Sequence, residues 1–128
     1  MTKPSLDIWL SEARQSPNAH KVGMYLSHNG VVRATARAAV RNGQDVPDVT
    51  GMVFSWDRAA VDAAVADARA MKGIFFVRVW LNEGTLKVGD DIMQVLIGGD
   101  IRPRTVAALE ALIGRLKETC VTETELAE

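Results

Sequence analysis

The stretch from Ile74 to Gly99 constrains the fold most. Ile74 to Leu81 is strongly apolar and contains Phe75, Phe76, Val77, Val79 and Trp80. Asn82-Glu83-Gly84 reads as a turn, Thr85 to Val88 as a short strand and Gly89-Asp90 as a further turn. Asp91 to Ile97 is another strand, and Gly98-Gly99 marks its end. Three strands therefore follow one another with no helical pattern between them. Helices flank this block. Asp57 caps one that runs to about Lys72, with Val61, Ala64, Val65, Ala68 and Met71 as its buried stripe and Arg58–Asp62 as an i,i+4 pair. Pro103 to Thr119 forms another, with Pro103 in its first turn and Val106, Leu109, Ile113, Leu116 and Cys120 at alternating spacings of three and four.

The first half of the chain adds a helix from Ser5 to about Gln15, capped by Ser5 and apolar at Leu6, Trp9, Leu10 and Ala13. Val22 to His28 is strand-like, and Asn29-Gly30 is a turn signal. Val31 to Val40 is open between helix, from its alanines, and a strand closed into a hairpin by Asn42-Gly43. Arg41 to Asp48 reads as a loop and Val49 to Trp56 as a strand. This order of elements predicts an α+β sandwich of helices on a mainly antiparallel or mixed sheet, in one domain over residues 1–128.

Charge and composition narrow the function. Fifteen Lys and Arg against 16 Asp and Glu give a net charge of −1, so no whole-protein basic field exists for nucleic acid or an anionic membrane. No apolar run reaches the roughly 18 residues of a membrane span, and Met1 to Ser5 lacks a signal-peptide apolar core; a cytoplasmic protein is expected. The single cysteine, Cys120, continues a helical apolar stripe and reads as core. Two histidines, His20 and His28, with no Cys-x-x-Cys or His-x-x-x-His spacing, leave little from which to build a metal site. No Gly-rich phosphate loop is present, and no cofactor is expected. Asp90-Asp91 reads as a turn pair, and Trp9, Trp56 and Trp80 as core or interface anchors. Local basic character survives the neutral total. Arg33, Arg37 and Arg41 share one side at either strand or helix spacing, which suggests an anion site.

Several of these features together resemble the large, catalytic subunit of molybdopterin synthase. They are Gly30-Val31-Val32-Arg33 after a strand, the Gly-x-Leu-x-x-Gly-Asp pattern at Gly84 to Asp90, Arg102 and Leu116-Lys117, and the likeness spans roughly residues 5–125. It implies an α/β-hammerhead-like sandwich. It also implies sulfur transfer to a phosphorylated pterin precursor, in molybdenum cofactor biosynthesis. The sulfur donor is the C-terminal Gly-Gly thiocarboxylate of a small ubiquitin-like subunit. By the same resemblance Lys117 is catalytic, and Arg33 and Arg102 bind substrate or charged intermediates; Arg37 joins them from the basic stripe. On one continuous helix Arg102 and Lys117 lie about 22 Å apart, too far for one small pterin. The resemblance therefore implies a homodimer in which Arg102 completes the neighbour's site.

The chain departs from the family pattern where Leu81-Asn82 replaces His-Arg, where Ile101 replaces a His, and where Thr124 holds the place of a second active-site lysine. Its end is acidic, with Glu118, Glu123, Glu125 and Glu128. Carboxylates beside an anionic substrate reverse the local sign, by about 4 kcal/mol per contact at 4 Å and an effective dielectric near 20. The alternative expectation is thus a catalytically impaired dimeric paralogue that binds a pterin, another phosphometabolite or the ubiquitin-like partner without turnover.

Overall fold

A computed structural model describes residues 2–127. Strand β5 (Asp91–Gly99) organises it, because it is buried along almost its whole length on both faces. That explains its largely apolar character, interrupted within by the buried Gln94, where a half-exposed strand would alternate. Strands β1 (Met24–Val31) and β3 (Ile74–Leu81) pair with it antiparallel on either side. A second antiparallel sheet has β2 (Val49–Trp56) between β4 (Gly84–Lys87) and β6 (Val121–Ala127).

Helices cover both faces of the first sheet. On one side α1 (Leu6–Arg14) packs Trp9 and Ala13 on Leu96, with Leu10, Tyr25, Phe76 and Trp80 around them. Ser5 caps it, its hydroxyl accepting the Ile8 N–H. On the other side α3 (Arg58–Arg69) and α4 (Arg102–Arg115) bury Val61, Ala64, Ala68, Ala108 and Leu112 against Val77, Val95 and Ile97. The same core takes Met52, Phe54 and Leu86 from the second sheet, so one apolar cluster joins the two sheets. Asp57 caps α3 through its side chain at 2.9 Å from the Ala60 nitrogen. The fold is the expected α+β sandwich, with every strand pair antiparallel.

Several local expectations are corrected. Asn29-Gly30 is no turn: both residues continue β1, paired with Gln94 and Met93. Pairing along β5 overrides the local turn preference of the dipeptide. Residues 31–40 leave β1 as irregular chain and then form α2 (Arg37–Asn42), which Gly43 ends in a left-handed conformation at φ 63°. Asn42-Gly43 is thus a helix stop and not a hairpin turn. Arg58 lies over the Trp56 ring at 5.7 Å, and no ion pair joins it to Asp62 among the described residues. Met71 is exposed at the end of its stripe. The last helix ends earlier than expected, giving way to a π-helical turn (Leu116–Cys120), and β6 follows where no element was foreseen.

The glycines at the end of β5 belong to close packing. A Cβ on Gly99 would overlap Thr105 Oγ1 on α4, and one on Gly98 would lie 2.8 Å from Tyr25 Cε1. Thr105 is fully buried and holds the Ile101 carbonyl at 2.9 Å, so it has nowhere to move. Gly99→Ala is therefore expected to destabilise the protein by about 1–3 kcal/mol, the usual cost of overpacking. Urea denaturation checks this, and an unchanged midpoint would refute it.

Candidate functional site

The Gly-x-Leu-x-x-Gly-Asp segment acts through the backbone. Gly84 and Gly89 have positive φ (95° and 92°), which permits the tight turns around β4, and Leu86 fills the core. Asp90 closes the second turn, its Oδ2 accepting the Lys87 N–H at 2.8 Å. This turn then clamps the chain leaving β1. The Gly89 N–H donates to the Val32 carbonyl at 2.8 Å, and the Val32 N–H donates to the Asp90 carbonyl at 2.9 Å. Two residues further the Ala34 carbonyl accepts the Val49 N–H at 2.6 Å. Arg33 sits between these clamps, so the two sequence signatures meet in space and one positions the other.

Arg33 lines a cleft of about 230 Å³ together with Arg37 and Lys117. Its floor is apolar, from Met52, Ile92 and Met93. His28 and Gly30, two residues apart on β1, share the face that looks into it. Gly30 keeps the floor open: a Cβ there would lie 3.2 Å from Met93 Cγ and 3.7 Å from His28 Nε2. Lys117 is delivered by the π turn, which is anchored by buried Leu116 and Cys120 and by the Cys120 carbonyl accepting the Asp57 N–H at 2.9 Å. Burial holds the His28 imidazole below its ordinary pKa of 6.5, and the Lys117 charge lowers it further.

The opposite wall carries the charge that sequence reasoning placed only as an acidic tail. Glu123 and Glu125 project from β6 into the cleft, beside Met52 and Phe54 in the register of β2. The Arg37 guanidinium donates to Glu123 Oε2 at 2.6 Å, and the Arg37 N–H, at the start of α2, lies 3.2 Å from both oxygens of Glu125. Among the described residues no carboxylate pairs with Arg33 or Lys117. Nor does any group of three or more His, Cys, Asp or Glu able to hold a metal ion occur among them.

The expected site residues divide accordingly. Arg33, Arg37 and Lys117 converge. Arg41 does not line the cleft. Arg102 is exposed at the first position of α4, the opposite end from Lys117, and takes no part in this cleft within one protomer. Thr124 is corrected more sharply. It pairs with Val53, which also faces Thr85, on the exposed side of the second sheet, so position 124 points away from the cleft and its neighbours 123 and 125 point in. Leu81 is core. Asn82 is buried in its turn, donating to the Asp91 carbonyl at 2.8 Å and accepting the Glu83 N–H at 2.8 Å. The sequence held signals for the missed residues: alternation places 28 with 30, and Val121-Thr122-Glu123-Thr124-Glu125 alternates with β-branched residues as a strand does.

Two antiparallel sheets sharing one core, with three cations and two carboxylates gathered at a cleft between β1 and β6, define an α+β protein with a charged cleft. The profile of the MoaE protein family matches residues 3–119, and the chain belongs to that family, which serves molybdenum cofactor biosynthesis. The fold is similar to that of molybdopterin synthase from Staphylococcus aureus at a TM-score of 0.73 and 14% identity, covering 100% of this chain and 89% of that one. The molybdopterin biosynthesis MoaE protein from Burkholderia ambifaria gives 0.70 and 20%, covering 99% and 85%. A protein–protein complex of subunits 1 and 2 of the molybdopterin-converting factor from Helicobacter pylori gives 0.67 and 16%, covering 96% and 76%. No curated protein sequence gives a significant match. Among the described residues no helix is long and apolar enough to cross a membrane.

The position of His28 is open to direct measurement. Because its folded pKa lies below the unfolded value of 6.5, the unfolded state binds the proton first. The neutral form thus contributes stability that is present above pH 6.5 and lost as pH falls through the folded pKa. Lys117→Ala should move the His28 pKa back up toward 6.5 in an NMR titration. No movement would mean that the two side chains do not share the cleft.

Proposed function

We propose that the chain is a molybdopterin synthase large-subunit-like sulfurtransferase, with the cleft at Arg33, Arg37 and Lys117 as its site. The observation that carries this reading is the convergence of Arg33 and Lys117, residues 84 positions apart, on one concave surface. Arg33, beside Arg37, binds the phosphate or anionic intermediates of a pterin precursor, and Lys117 is the amine at the reacting carbon. Sulfur arrives on the thiocarboxylated Gly-Gly tail of a ubiquitin-like small subunit, an assembly of two unlike subunits such as the Helicobacter pylori complex names. Arg102 reaches the site from the second protomer of a homodimer. A cytoplasmic setting fits the lone unpaired Cys120.

One observation favours a second reading. Arg37 is already paired with Glu123, and β6 lines the wall facing the cations with carboxylates. A protein with those features binds its ligand or its partner subunit without turnover.

Incubation with pterin precursor and thiocarboxylated small subunit separates the two. Under the first reading dithiolene product forms and Lys117→Ala lowers its rate by about 10²–10³, the scale of losing one preorganised charge contact. Binding without product would establish the second. Sharing between protomers has its own signature. If Arg102→Ala and Lys117→Ala are each inactive, mixing them should restore about a quarter of the activity, since half the dimers form with one intact site of two. No recovery after subunit exchange would place Arg102 outside the site.

A further inference from the structure

Arg37 is the cation of the cleft that a ligand meets already occupied. Glu123 holds its guanidinium at 2.6 Å with its own side chain only 10% exposed, and Glu125 receives the Arg37 backbone N–H. Both carboxylates come from β6, whose register against β2 fixes them on the inner face. Three cations face two carboxylates, which leaves a surplus of one positive charge. His28 adds no cation near neutral pH, because burial and Lys117 keep it unprotonated. Without β6 the same pocket would present three guanidinium or ammonium groups to one small volume, an arrangement suited to a polyanion.

We propose that Glu123, supported by Glu125, is the specificity-determining residue of this cleft: it withdraws Arg37 from ligand binding and restricts the ligand to a single anionic group, held by Arg33 and Lys117. A second anionic group would have to displace Glu123 from Arg37 or lie against two carboxylates. Either costs a charge-assisted hydrogen bond or adds a like-charge contact in a half-enclosed space. The inference rests on the reading of the cleft as an anion site and goes further in naming how much anionic charge it accepts and which residue sets the limit.

Calorimetric titration of the full chain with inorganic phosphate and with pyrophosphate, at low ionic strength, tests it. Wild type should bind pyrophosphate no better than phosphate. Glu123→Gln, which keeps shape and removes charge, should raise pyrophosphate affinity about tenfold and phosphate affinity less. Adding Arg37→Gln to that variant should abolish the gain, because the released partner is then missing. Arg37→Gln alone leaves Glu123 facing the ligand and should weaken phosphate binding. Far-UV circular dichroism confirms that each variant is folded. The proposal is overturned by an unchanged pyrophosphate-to-phosphate ratio in Glu123→Gln, by a gain that survives without Arg37, by wild type already preferring pyrophosphate tenfold, or by no binding of either anion to any variant. A shifted ratio with no dithiolene product would sink the sulfur-transfer reading and leave this one standing. Product formation with an unshifted ratio would do the reverse.

Discussion

Burial of β5 on both faces is the constraint on which the rest of the molecule depends. A strand covered by α1 on one side and by α3 and α4 on the other must satisfy its backbone groups within the sheet, and it does so by antiparallel pairing to β1 and β3. That pairing places Gly30 opposite Met93 and so sets the floor of the cleft. Small residues where β5 ends let α4 approach closely, and α4 in turn aims the π turn that carries Lys117.

The functional surface is assembled from segments that are distant in sequence and joined by backbone bonds. The turn between β4 and β5 grips Val32 and thereby fixes Arg33, so a motif that does not itself line the cleft governs where a cation stands. The clamp explains why a glycine with positive φ at 89 accompanies an arginine at 33. The second sheet supplies the other half of the balance. Its strand β6 sets carboxylates against the basic wall, and the charge of the cleft is a property of two sheets held at one core.

Much of this was legible beforehand because periodicity reports burial directly. The stripe at Val61, Ala64 and Ala68, the pair Leu116 and Cys120, and Ile74, Val77, Leu81 and 92–97 became core, whereas α4 buries Thr105, Ala108 and Leu112 and leaves Val106 of the expected stripe exposed. The resemblance also selected Arg33 and Lys117, which the fold brings together. What failed did so where a local preference met a long-range partner. Asn29-Gly30 has turn chemistry, yet Gln94 and Met93, far along the chain, keep it in a strand. Position 124 has the right place in the sequence and the wrong face in space, because strand alternation can be applied only once the strand itself is recognised.

The π turn at Leu116–Cys120 has a consequence of its own. A π turn spends about one residue more than an α turn to reach the same orientation. Wound as ordinary α-helix, the segment would release that residue, β6 would begin one position sooner, and Thr122 and Thr124 would stand where Glu123 and Glu125 now face the basic wall. The acidity of this wall is therefore written in phase as much as in composition: how many residues the turn consumes before the strand begins decides whether glutamate or threonine faces the cations.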